Sequence, residues 1–245
     1  MAWSVDQASL GPRAIEAGFG DTAMQFTSNV AVAANAWAFI LVAWFFSDPL
    51  TSCVDNGPGL TWTRHQVRPD PAGDLRLAIC RAFAPAGIAS GTVWDLGWTG
   101  GDVGNKVAGG VSFLGGDSSS FDAALAAAFS TGAAAWSIPA TTDDAGELIV
   151  VSAFAGNGPG NTITSPSVED WEQAASGSTI VAAHRIAGAA GATSVAGTWA
   201  FSDAWGAYGL RLNEAAAGGP PPDSSGPIGN RVGAFDPELL AGAWF

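Results

Sequence analysis

The sequence predicts an all-β protein, an antiparallel sandwich of short strands followed by an extended C-terminal arm. Three observations carry that expectation. Apolar segments are short and are punctuated by Gly, Pro, Asn and Asp at roughly ten-residue intervals. Charged residues make up only 13% of the 245-residue chain, too few for helices laced with ion pairs. The third observation is an internal correspondence of segments that falls in one order twice.

The correspondence centres on residues 145–154 (Ala-Gly-Glu-Leu-Ile-Val-Val-Ser-Ala-Phe) and residues 36–45 (Ala-Trp-Ala-Phe-Ile-Leu-Val-Ala-Trp-Phe). Leu60-Thr-Trp62 then answers to Val168-Glu-Asp-Trp171, and residues 75–83 answer to residues 179–186. Gly-Thr-Val-Trp94 matches Gly-Thr-Trp199, and residues 107–114 match residues 205–212. The chain is therefore expected to be duplicated, with repeats at about 23–116 and 135–214 in a single jelly-roll-like β-sandwich over 23–214. Residues 36–45 are apolar on both faces over much of their length, which suits strands buried inside a larger packed sandwich. This favours pooling of the two repeats over two independent domains.

Taken in order, residues 1–22 lack a helical period and read as an N-terminal arm or edge strand, with Trp3 and Val5 alternating with polar neighbours. Residues 23–28 alternate and lead into the first central strand. Between the repeats, residues 115–129 carry an Ala run with Ser120 at a capping position, open to a short helix or an extended crossover. Residues 135–138 lead, through Pro139 and Asp143-Asp144, to the second central strand.

After Glu214 the composition changes. Residues 215–227 form a Pro/Gly linker, and residues 228–245 form a tail carrying Phe235, Leu239, Leu240, Trp244 and Phe245. A solvated tail has no use for five large apolar side chains, so these are the expected partner-binding residues.

The net charge of −13 argues against nucleic acid as a partner. Residues 30–46 are the one membrane candidate, but Asn35 and the polar loop after the matching segment favour a buried strand over a span. The N-terminus shows no basic region before an apolar core, so no signal peptide is expected. Cys53 and Cys80 make no disulfide framework, and free thiols or one bridge remain open.

His65 and His184 are the only histidines, and His184 is matched to Cys80, which favours packing over catalysis. No HExxH, paired CxxC, GxSxG or P-loop is present, so neither an enzyme nor a cofactor is expected. Asp102, Asp117 and Asp143-Asp144 sit in loops where a hard cation could bind, without EF-hand spacing. Asn56-Gly-Pro-Gly59 and Asn157-Gly-Pro-Gly160 read as turns. Trp62, Trp94, Trp171 and Trp199 hold matching places and read as core layers, against the alternative of sugar-stacking platforms.

The blocks at 145–151 and 60–63, each followed by a His/Cys-Arg strand, a Gly/Ala turn and a Thr-Trp strand, resemble duplicated β-sandwich proteins. Such proteins occur among tailed-phage virion proteins and some secreted bacterial proteins. Residues 234–245 resemble the C-termini of structural proteins from phages of high-GC bacteria. Two departures stand out: Asn35-Ala-Trp37 replaces a Gly-Asp/Glu turn, and the Thr-Trp-Thr form is missing at Trp171. The resemblance implies a non-enzymatic virion structural protein, a capsid decoration or minor tail component. Other virion proteins and further copies of itself would be its partners; the alternative is a host-surface adhesin that binds glycan.

Overall fold

The computed structural model describes residues 2–10, 14–16, 22–45, 48–69, 73–100, 104–156, 160–175 and 178–214. Among them no helix is long and apolar enough to cross a membrane. The linker and tail expected at 215–227 and 228–245 lie outside the described residues.

The first half of the chain contributes β1 (Ser4–Gln7), β2 (Ala14–Glu16), β3 (Ala23–Thr27), β4 (Ala36–Phe45), β5 (Leu50–Asp55), β6 (Thr63–Val67), β7 (Leu75–Ala84), β8 (Val93–Trp98) and β9 (Gly104–Leu114). The second contributes β10 (Phe121–Ala124), β11 (Ala128–Thr142), β12 (Leu148–Gly156), β13 (Asn161–Ile163), β14 (Val168–Ala175), β15 (Ser178–Ile186) and β16 (Gly191–Leu212). Pairing is antiparallel throughout.

One large sheet runs β1-β9-β4-β7-β6, with β2 also on β9, and the other runs β10-β16-β12-β15-β14. A small sheet, β3-β8-β5, accompanies the first. In the second half β11 and β13 pair with the N-terminal part of β16, a strand that continues for 22 residues.

Period-two alternation sorts the side chains between three cores. In β4 the odd positions Trp37, Phe39, Leu41 and Ala43 face the other large sheet, where Leu148, Val150 and Phe154 of β12 and Leu210 and Leu212 of β16 meet them. The even positions Ala38, Ile40, Val42 and Trp44 face the small sheet and meet Met24, Phe26, Trp94 and Leu96. Ile149, Val151, Ala153 and Ala155 turn away from the seam and pack on Trp136, Ile138, Val195 and Trp199. A strand buried on both faces needs a nearly continuous apolar run, which β4 carries and β12 carries around Ser152.

Turn chemistry sets where these strands begin. Asn35 enters β4 with φ 61° and Gly146 precedes β12 with φ 89°. Each donates its backbone N–H to the end of the neighbouring strand, Asn35 to Ala84 O at 2.8 Å and Gly146 to Ala187 O at 2.7 Å. Asn tolerates the left-handed region better than other non-glycine residues, so the departure at Asn35 keeps the turn.

That shared hydrogen bond also corrects the expected matching. Aligned on these two hydrogen bonds, His184 falls level with Arg81 and Ala183 with Cys80. Cys80 points into the small-sheet core, whereas His184 faces the seam. A register slip of one residue moves a side chain to the opposite face.

Trp62 and Trp171 do not share a position either. Trp171 is buried in the seam from within β14, whereas Trp62 precedes β6, is half-buried and packs on the small-sheet side. Residues 115–129 take the extended course rather than the helical one. Ser120 Oγ accepts from Asp117 N at 2.8 Å to close a turn, and β10 follows at once on the edge of β16.

Candidate functional site

Two polar pairs, one from each half, face the largely apolar seam between the large sheets. Arg81 on β7 donates from Nε to His65 Nε2 on β6 at 3.0 Å. Its guanidinium lies over the ring of Phe121, from the other half, at 3.6 Å, and 5.2 Å from the Trp37 ring. Burial and the adjacent Arg81 charge push the His65 pKa below its ordinary 6.5, which leaves Nε2 free to accept. Burial also lowers Arg81.

In the second half, His184 Nδ1 on β15 lies 2.9 Å from Asp170 Oδ1 on β14. Phe113, again from the opposite half, meets the His184 ring edge-on at 5.0 Å. Burial raises the Asp170 pKa against the opposing effect of its hydrogen bond to His184. His65, Arg81 and Asp170 were not legible as partners in the sequence; the signal that links them is strand register, which needs the Asn35 and Gly146 turns to be aligned.

The acidic loops are engaged with protein groups. Arg211 holds Asp122, Asp143 (3.2 Å) and the buried Glu147 (3.7 Å) at one end of the second-half core. Glu147 Oε1 accepts from the backbone N–H of Asp143 and Asp144, at 3.1 and 3.3 Å. Asp117 is a half-buried turn acid whose pKa is held low by hydrogen bonds from Ser119. Among the described residues no group of three His, Cys, Asp or Glu side chains is placed to hold a metal ion. Asp102 and residues 157–159 lie outside the described residues.

Cys53 and Cys80 are free and buried, and they face one another across the small-sheet core. Burial, together with the neighbouring Cys80, pushes the Cys53 thiol up. Of the eleven tryptophans, nine are buried, Trp62 is half-buried and Trp244 lies outside the described residues. Phe26 stacks on Trp94 at 5.1 Å and Trp136 lies 6.3 Å from Trp199, so the matched Gly-Thr-Trp segments supply core rings in both halves.

A groove of about 420 Å³ lies beside β6 and β7, lined by Leu60, Thr61, Thr63, Arg81 and Phe83. The expected partner-binding residues Phe235, Leu239, Leu240, Trp244 and Phe245 lie outside the described residues. No protein-family model, curated protein or solved structure matches the chain.

Proposed function

We propose that this chain is a non-enzymatic structural subunit of a tailed-phage particle, a capsid decoration or minor tail component. On this reading it is a duplicated jelly-roll-like sandwich attached to the particle through residues 228–245.

The observation that carries the proposal is the use made of the interior polar groups. Arg81 with His65, and His184 with Asp170, are each closed by an aromatic ring from the opposite half. Arg211 closes one end of a core. These groups bind layers together instead of converging on a common cavity. Duplication draws support from the two strand orders, β9-β4-β7-β6 and β16-β12-β15-β14, which follow the same chain sequence. The buried tryptophans leave no exposed row of indole rings among the described residues for a sugar to stack on, which weakens the glycan-binding alternative.

Phe235, Leu239, Leu240, Trp244 and Phe245 give the tail its docking chemistry. Burying each is worth about 1.5–3 kcal/mol before ordering costs. Deleting residues 228–245 tests the reading. A protein of nearly unchanged melting temperature that no longer joins the particle is expected. A large loss of thermal stability with incorporation retained would show instead that the tail belongs to its own sandwich.

A further inference from the structure

Among the described residues the large sheets end in β1 and β6 and in β10 and β14, and of these β6 and β14 carry opposite charge. Among the described residues β6 pairs only with β7, and β14 only with β15. Arg64 and the adjoining Arg68 give the first edge its cations, with no acid from residue 63 to 68. Glu169, Asp170 and Glu172 give the second its acids, with no cation from residue 168 to 175.

Not all of these groups are equally available. His65 and Asp170 are turned to the seam partners described above. Arg68 also donates to Gly73 O, and one Glu172 oxygen accepts from Asn161 N. Arg64 and Glu169 are exposed. By their ladder partners, Arg64 lies opposite Cys80 and Glu169 opposite Ala183, so both project on the face away from the seam.

Their places in the molecule are also opposed. Across the seam His65 of β6 meets Phe121 of β10, Phe45 of β4 meets Phe154 of β12, and Phe113 of β9 meets His184 of β15. The strand orders therefore run in opposite directions, and β6 and β14 lie on opposite flanks. Neither edge can reach the other within one molecule.

We infer that β6 of one molecule docks edge to edge on β14 of a second copy of this chain, in a head-to-tail contact. An open edge offers unpaired backbone groups to another strand. Like charges oppose β6 against β6 and β14 against β14, leaving the mixed pairing as the favoured one. A heterologous contact between opposite flanks propagates, so the product is a closed ring or a filament. This inference does not rest on the virion proposal.

The full chain, with its tail, is measured by sedimentation velocity. Self-association is expected at low ionic strength and loss of it near ~1 M salt, where the screening length falls to about 3 Å. Arg64→Glu and Glu169→Arg should each weaken association by about tenfold or more, while circular dichroism and melting temperature stay near wild type. Mixing the two variants places an acidic β6 against a basic β14, and a basic β6 against an acidic β14, so the mixture should associate where each alone does not. Wild type that stays monomeric at high concentration and low salt would overturn the inference. So would folded variants that associate as wild type does, or a mixture of two folded, monomeric variants that stays monomeric.

Discussion

At the scale of single residues, the seam shows how position decides the behaviour of a titratable group. The His65 pKa is lowered from 6.5, so the unfolded chain takes up a proton more readily than the folded one. The His65 contribution to stability is then complete above 6.5 and is lost as pH falls from there through the lowered folded value. Asp170 acts in the opposite sense: raised from 3.8, it favours folding fully below that value, and the contribution is lost as pH rises through the folded pKa. Thermal melting followed as a function of pH should show a fall in midpoint below 6.5 that is shallower in His65→Gln. Equal pH profiles for the two proteins would count against the assignment. The tryptophans give a second contrast. Trp171→Ala empties part of the seam and should cost about 3–5 kcal/mol in denaturant unfolding. Trp62 is half-buried, with its indole N–H donated to Asp55 Oδ2 at 2.8 Å. Trp62→Ala should cost clearly less than Trp171→Ala, and the reverse order would mean that the seam is not the principal core.

At the scale of elements, the central strands depend on what their neighbours leave out. Leu10 is fully buried and donates its N–H to Gly110 O at 3.0 Å, which seats it against β9. A Cβ at Gly110 would lie 2.7 Å from a Leu10 methyl and 3.0 Å from an Ile40 methyl. Gly110→Ala should therefore cost about 1–3 kcal/mol through overpacking, read as a lower denaturant midpoint at unchanged slope. A neutral result would mean that Leu10 can leave its place without consequence. Gly87 is constrained differently, with φ 79° and the Val32 carbonyl 2.6 Å from where a Cβ would sit. It holds the turn after β7 that lets Ile88 bridge to Val32.

At the scale of the whole molecule, the seam makes the two halves interdependent. Among the described residues Trp37, Phe39, Leu41, Ile79 and Phe113 on one side pack against the sheet built by the second half. Calorimetry on the full chain should give one cooperative unfolding transition. A fragment ending near residue 117 should fail to fold as a stable monomer, because it would present that face to water. Two independent transitions, or a well-folded soluble fragment, would show that the outer cores suffice by themselves.

Local pattern alone determined much of this protein. The all-β class follows from Gly- and Pro-bounded apolar runs, and β4 and β12 are legible as doubly buried strands because their apolar residues are nearly continuous. The Gly-Thr-Trp segments are legible as core because an inward tryptophan needs a strand position of fixed parity. The pairing of Arg81 with His65 and of His184 with Asp170 was decided only by tertiary structure. Side-chain parity in a strand hangs on register, and register was set by hydrogen bonds at Asn35 and Gly146 to strands some forty to fifty residues away. The opposite charges of β6 and β14 can be read from the chain, but their placement on opposite flanks cannot. That placement comes from the way the two sheets face one another across the seam, a contact between segments distant in sequence that no local pattern encodes.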